Sequence, residues 1–279
     1  MLKVAHVINV AEITEANKKS YLHIAQPVTI KSMIVAKQMA KELVDVELWA
    51  VKHKDECVDI PSEFRWAQQI EQYAYEYIEA LKNITPPKPL PRVVDILLSL
   101  YESSEADYFI YTNLDIGLYP DFYVKVKDLI LEGYDAFCIN RVDLPKIYKG
   151  VLIDETTLEM AFASDSEKHP GVDCFVFKRE IVPKLNLSNV YVGFAPVGQV
   201  LKTQVESNSK RFLWVKDQNY TFHLGSDMYW KKAKGGYADE NRKQADGLYV
   251  KSVGVKPELT IRIKNRLKAF LRYLIDILK

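Results

Sequence analysis

The residues with the clearest chemical reach are Asn113 and Asp115, in the stretch Tyr108-Phe109-Ile110-Tyr111-Thr112-Asn113-Leu114-Asp115-Ile116. The apolar and aromatic run from Tyr108 to Tyr111 reads as a buried strand. It stops on a carboxamide and a carboxylate separated by one apolar residue. In an extended chain those two side chains point the same way. Hard oxygen ligands at a strand mouth can hold a divalent cation that phosphate oxygens also hold. Asn and Asp are equally at home where a strand gives way to a turn, so the trio alone leaves both readings open.

The other groups suited to chemistry are few. In open α/β sheets, ligands sit outside the carboxyl ends of the strands. Asn9, Asn113, Asp115 and the segment before the Cys174 strand, which carries Asp173, are candidates for such an edge. The sequence has no GxGxxG, no GxxxxGK[ST], no GxSxG and no HExxH, so dinucleotide, P-loop, serine-hydrolase and zincin chemistry are not signalled. A glycoside hydrolase needs two carboxylates facing one bond, and nothing in the sequence pairs Asp115 with a second acid. His6, His23, His53 and His169 read as structural or surface residues. Cys57, Cys138 and Cys174 are scattered, which suits buried thiols in a reducing compartment better than a disulfide scaffold.

These residues need a sheet to hold them. Residues 3–10 read as a first buried strand. A helical period follows from Pro27, placed at a permitted first-turn position, to Leu43. Val44 to Val51 alternates as a second strand, which makes a βαβ unit and a sheet at least partly parallel. Residues 62–82 look helical. The Pro-rich segment Thr85 to Pro91 forbids regular structure, and a helix from Arg92 to about Ser103 leads into the central strand. A short helix over Pro120 to Leu131, a strand over Ala136 to Ile139 and a long polar loop over 141–168 come next. Then Cys174 to Phe177 reads as a strand, Phe194 to Val205 as a helix, and Phe212 to Val215 as a strand. Thr221 to Asp227 reads as a polar stretch, Tyr237 to Asp246 as a mobile segment, and Leu259 to Leu278 as a closing helix.

The 279 residues are 48% hydrophobic and 27% charged with a net charge of +1, which suits a folded chain with a sizeable core and offers no global field for nucleic acid. The charge is uneven. Residues 256–279 hold seven Lys or Arg against Glu258 and Asp276, a net of +5. Ile261, Ile263, Leu267, Phe270, Leu271, Leu274, Ile275 and Leu278 add an apolar stripe, so this tail can lie on an anionic membrane surface or pack on protein. Met1 to Asn9 is too short an apolar run for a signal peptide, and no stretch approaches the roughly 18 apolar residues of a spanning helix. The expected location is cytoplasmic, and peripheral at the inner face of a membrane where the tail lies on one rather than packing on protein. The expected division is a domain over 1–255 and a basic amphipathic helix over 256–279.

The order of parts resembles a nucleotide-sugar glycosyltransferase of the GT-A type. The match lies in Asn113-Leu114-Asp115 at a strand end, in His169-Pro170-Gly171-Val172-Asp173 before an apolar strand, and in Phe222-His223-Leu224-Gly225 late in the chain. It covers about residues 3–230. It implies one α/β, Rossmann-like domain with a mixed, mostly parallel sheet covered by helices. It implies a nucleotide-sugar donor, a glycan or lipid-linked acceptor and a part in surface polysaccharide synthesis. Asp115 and His223 would hold Mn²⁺ or Mg²⁺, Asp173 would be the base of an inverting enzyme, and Asn9, Glu12, Arg92 and Asn113 would meet the donor. The family motif is DxD, and Asn113 replaces its first Asp; an amide is a poorer cation ligand than a carboxylate. The runners-up are a nucleotidyl- or phosphosugar transferase, and a carbohydrate- or nucleotide-binding protein without turnover on the same fold.

Overall fold

Strand β1 (Lys3–Asn9) is buried at every position after Lys3, and both of its faces are covered. Side chains alternate across a strand, so Val4 and Ile8 enter one hydrophobic cluster while Ala5 and Val7 enter another. The computed structural model describes residues 1–15, 21–216, 218–225 and 236–253. After β1 come helix α1 (Leu22–Ala40), strands β2 (Asp45–Val51) and β3 (Phe64–Trp66), and helices α2 (Ala74–Tyr77), α3 (Glu79–Lys82) and α4 (Val93–Ser103). Strands β4 (Tyr108–Thr112) and β5 (Ile116–Leu118), helix α5 (Phe122–Leu131) and strand β6 (Ala136–Leu144) follow. The hairpin β7 (Ile147–Tyr148) and β8 (Val151–Leu152), helix α6 (Leu158–Ala163) and strand β9 (Glu167–Lys178) form the next third. A 3₁₀ turn (Arg179–Lys184), α7 (Val197–Ser207), β10 (Phe212–Val215), β11 (Thr221–Leu224) and α8 (Tyr237–Val253) complete the described chain.

The nine-stranded sheet has the order β3-β2-β1-β4-β9-β6-β11-β5, with β10 also beside β6. Strands β3, β2, β1 and β4 are parallel, and β9 runs antiparallel between β4 and β6. Strands β10 and β11 are parallel to β6, and β5 is antiparallel to β11. The sheet is therefore mixed and mostly parallel. Helices α4, α7 and α8 cover one face and α1 and α5 the other, the arrangement a sheet with near-continuous apolar strands requires.

Five segments differ from the reading by pattern. Residues 62–82 are not one helix. Phe64 to Trp66 pairs with β2, where Arg65 meets the buried Glu47 at 2.7 Å, and only two single turns of helix follow. Helix α1 begins at Leu22, so Pro27 lies inside it rather than in its first turn. There the Gln26 side chain both accepts from the Ala11 N–H (2.9 Å) and donates to the Ala11 carbonyl (3.1 Å), tying the helix to the chain after β1. Residues 141–168 are no loop: they hold the end of β6, the β7–β8 hairpin, α6 and the start of β9. Their polarity belongs to an ion-paired strand surface. Tyr237 to Asp246 is the first half of α8. Its buried Asn241 bonds to the backbone of Tyr191 and Phe194, which locks the helix down. Thr221 to Leu224, expected only as a polar stretch, is β11. The tail 256–279, and with it the division at residue 255, lies outside the described residues.

Candidate active site

The carboxyl ends of β4, β6 and β11 and the middle of β9 bring the polar candidates together. Asn113 and Asp115 leave the end of β4 in different directions. The Asn113 amide donates to Asp173 Oδ1 at 3.0 Å, and its Oδ1 accepts the Tyr111 hydroxyl at 3.0 Å. Asp115 Oδ2 lies 3.5 Å from His223 Nε2 on β11. One arm of the Asn-x-Asp fork thus reaches β9 and the other β11.

Arg141 and Asp143 link the two arms. They sit two residues apart on β6, so they share a face. Arg141 Nη1 donates to Asp173 Oδ2 at 2.6 Å and its Nε to Asp143 Oδ1 at 2.9 Å. Asp143 Oδ1 is 3.9 Å from His223 Nδ1. The register between β6 and β9 slips on both sides of Asn140, where Asn140 opposes Val172 and Val142 opposes Lys168. Bulges of this kind re-aim side chains next to functional sites. Within the slipped segment the Gly171 N–H donates to His169 Nδ1 at 2.9 Å, which places His169 at the rim of the ladder.

The ladder Asn113–Asp173–Arg141–Asp143–His223–Asp115 holds three carboxylates against one guanidinium and one imidazole. Burial, the largest influence on Asp115, pushes its pKa up. The hydrogen bond and charge of His223, with help from Arg141, more than offset it and hold the group below its ordinary value. Burial likewise pulls His223 down, and its bond to Asp115 outweighs that and raises it above the ordinary imidazole value. His169 moves the other way, lowered first by burial and then by the nearby Arg141 charge.

Among the described residues no three metal-ligating side chains converge. Two do, and their chemistry fits a divalent cation. His223 Nδ1 lies 2.6 Å from the Gly225 carbonyl, an acceptor, so Nδ1 carries the hydrogen and the neutral ring presents its Nε2 lone pair toward Asp115. A backbone carbonyl on the far nitrogen is the usual way a metal-binding histidine is oriented. Mg²⁺ and Mn²⁺ sites with one or two protein ligands are completed by water and substrate phosphates.

The remaining candidates lie toward β1. Asn9, only 5% exposed, ends that strand and makes no hydrogen bond through its carboxamide among the described residues. It lines a recess with Ala11, Lys52, His53, Tyr73 and Pro91. The His53 and Tyr73 rings stack there at 3.8 Å. Glu12 follows on the exposed chain and accepts the Cys57 N–H at 3.1 Å. Arg92 is joined to none of these. Its fork is spent on Asp95 (2.7 and 2.8 Å) and Asn189 (2.8 Å), with Tyr77 stacked beneath it. Sequence reasoning missed Arg141, Asp143, His53 and Tyr73. The signal for the first two was present as alternation, Asn140-Arg141-Val142-Asp143-Leu144, in which two charges interleave with apolar residues on a strand.

No protein-family model matches the sequence, and no curated protein matches it. Solved structures do match in shape. The S. aureus protein TarS, residues 1–349 in complex with UDP-GlcNAc, superposes with a TM-score of 0.50 at 10% identity, over 89% of this chain and 67% of that one. Glucosyl-3-phosphoglycerate synthase of Mycobacterium tuberculosis, solved with Mn²⁺, UDP-glucose and phosphoglyceric acid, reaches 0.45 at 12% identity, over 89% and 79%. Strand order, the antiparallel β9 between parallel neighbours and the first of these superpositions agree: the chain has the GT-A-type fold of nucleotide-sugar glycosyltransferases.

Proposed function

We propose that the protein is a glycosyltransferase that moves a sugar from a nucleoside-diphosphate donor to a glycan or lipid-linked acceptor. The observation that carries this reading is the ladder, which sets the cation-competent pair Asp115 and His223 and the carboxylate of Asp173 on one rim of a GT-A-type sheet. In the reaction the bond from the anomeric carbon to the diphosphate breaks, and the electron pair leaves with the phosphate oxygen. A bond forms from the acceptor oxygen to that carbon, and the acceptor proton departs. Asp115 and His223 would hold Mn²⁺ or Mg²⁺, which supplies positive charge where the leaving diphosphate gains negative charge. Asp173 takes the acceptor proton if the enzyme inverts. Each of its oxygens accepts one bond, from Asn113 and from Arg141, and keeps a further lone pair. Those two bonds fix the carboxylate's orientation, and a fixed base is worth more than a mobile one.

Asn9, with its unspent carboxamide, meets the base or ribose in the recess where His53 and Tyr73 stack, and Glu12 reaches them from the exposed chain that follows. Asn113 acts through Asp173 rather than as a cation ligand. Arg92 stays with Asp95 and serves the donor only indirectly, by holding α4. The unit over 1–255 would carry the chemistry, and the basic tail 256–279 would bring it to an anionic membrane surface where a polysaccharide precursor is extended. No helix among the described residues is long and apolar enough to cross a membrane. Deleting 256–279 tests the tail: unchanged sedimentation with anionic vesicles removes that role.

A panel of UDP-, GDP-, CMP- and dTDP-sugars, with and without Mn²⁺, tests the central reading through the thermal midpoint and release of free nucleotide. A ligand of the folded state raises the midpoint by mass action. One nucleotide class should do so in a metal-dependent way, with slow sugar release, and Asp115→Ala should lose both. A metal-independent shift with no release would favour a binding protein, the reading to which Asn113 in place of an acid already lends support.

A further inference from the structure

We propose that the β7–β8 hairpin is a docking surface for an anionic lipid bilayer. The hairpin leaves the site directly: Asp143 ends the ladder on β6, and Ile147 begins β7. Its turn is Lys149-Gly150, both at positive φ (49° and 80°), the backbone that a tight two-residue hairpin demands. Ile147 pairs with Leu152 and Tyr148 with Val151, so Ile147 and Leu152 share one face and Tyr148 and Val151 the other. Tyr148 packs on the cluster formed by Tyr119, Leu144, Ile153 and Phe222. Ile147 and Leu152 do not pack: they are 59% and 42% exposed. A formed hairpin therefore presents two large aliphatic side chains, side by side, to solvent. Val151 at its tip is 36% exposed as well.

Charge selects the occupant. Lys149, at the turn, meets no carboxylate among the described residues and lies 5.1 Å over the Tyr148 ring. The Lys146 ammonium lies 4.1 Å over the Tyr21 ring at the hairpin's root. The nearest acid along the chain after the hairpin, Asp154, accepts hydrogen bonds from the Thr156 and Thr157 N–H groups and the Thr156 hydroxyl. Aliphatic side chains flanked by lysines suit the boundary between acyl chains and anionic headgroups. The root is also fastened to the site. The Gly225 N–H donates to the Leu144 carbonyl at 2.7 Å, and the Gly225 carbonyl holds His223. A bilayer touching Ile147 and Leu152 would thus hold the mouth of the ladder at the membrane surface, whatever reaction the ladder performs.

Hydrogen exchange of the full chain on vesicles reads the hairpin itself, apart from any contact made by the tail. With vesicles of phosphatidylcholine and phosphatidylglycerol, amides of residues 146–153 should exchange several-fold more slowly than in buffer, and with pure phosphatidylcholine at the buffer rate. Ile147→Glu with Leu152→Glu should lower partition to the mixed vesicles at least ten-fold, with the thermal midpoint unchanged because both side chains are exposed. Lys149→Glu should lower it several-fold. Failure of the chain to bind the mixed vesicles, binding without slowed exchange at 146–153, or equal slowing on pure phosphatidylcholine would overturn the proposal. So would a concentration-dependent dimer in sedimentation velocity that Ile147→Glu abolishes, since the face would then belong to a second copy.

Discussion

Two histidines, one on each side of β4, show how the same sheet sets one ring among neutral groups and another among charges. His6 on β1 is fully buried, and its two ring nitrogens meet only hydroxyls, those of Tyr123 and Thr112, each at 2.9 Å. Burial drives its pKa down to about 3, so the ring is neutral. His223 on β11 is also largely covered, yet it faces Asp115 at 3.5 Å and Asp143 at 3.9 Å, and its pKa moves up. Burial pulls both rings the same way. The charge of the partner decides the outcome. Neutral hydroxyls make a histidine part of the core, and carboxylates make it a group that holds its proton, for which the proposed cation would compete.

The comparison breaks first at Asp115. If the β11 side is where charge is handled, Asp115→Ala should lower sugar-nucleotide turnover by about 10³-fold, the scale of losing one electrostatic contact to a developing charge. The fold should persist with only the modest loss of the Asp115–His223 pair, since the side chain is 40% exposed. Turnover within ten-fold of the parent would make Asp115 a turn residue and remove the contrast with His6. The next effect is on the ladder's centre. Arg141→Met leaves Asp143 and Asp173 without their cation in a largely covered setting. Breaking a buried pair by removing one partner costs about 3 kcal/mol, which urea unfolding would read as a lowered midpoint. Arg141→Lys should recover part of the stability but not the two-pronged hold on Asp143 and Asp173.

The scaffold side was the more legible. Strands β1, β2 and β4 and helix α4 followed from apolar alternation, helical period and the Pro91 boundary, because both faces of this part of the sheet are covered and hydrophobic pattern is what coverage demands. On the other side the pattern misled. Arg141, Asp143, Lys168, His169 and Asp173 looked like a loop, since polar residues ordinarily signal one. The side chains of Arg141, Asp143 and Asp173 are satisfied by one another on β6 and across to β9, a relation between residues 32 apart in the case of Arg141 and Asp173. No local pattern carries such a pairing. Asn113 and Asp115 were found because their strand is apolar up to its end, but their divergence toward different partners depends on β9 and β11. The short β3 was lost because three residues beside β2 are too few to show a period.

A smaller effect separates the two histidines by their response to acid. The unfolded chain binds a proton on His6 near its ordinary value of 6.5, and the folded chain only near 3. Between those values the unfolded state holds more protons, so His6 lowers stability as pH falls through that window. The slope is roughly 1.4 kcal/mol per pH unit. His6→Gln keeps a group able to bond Tyr123 and Thr112 and removes the titration. Its stability should therefore fall less than the parent's between pH 6 and pH 4, measured by urea unfolding at each pH. Parallel curves for the two proteins would mean that His6 is not held neutral.

The finest distinction is the direction in which His223 titrates. Its folded pKa is raised, so the stability it contributes is fully present below 6.5 and is lost as pH rises through the folded value. Asp115 is lowered, so its share is present above 3.8 and is lost as pH falls through its folded value. The pair thus stabilises the protein between those limits, and a cation bound there as proposed would have to displace the His223 proton. Imidazole resonances of the full chain should give a His223 midpoint above 6.5 that falls in Asp115→Asn. Added Mg²⁺ with a nucleoside diphosphate should lower it too, and the affinity for that pair should rise with pH across the same window. A midpoint that neither Asp115→Asn nor Mg²⁺ moves would place His223 with His6, as a structural ring, and leave the ladder without a cation site.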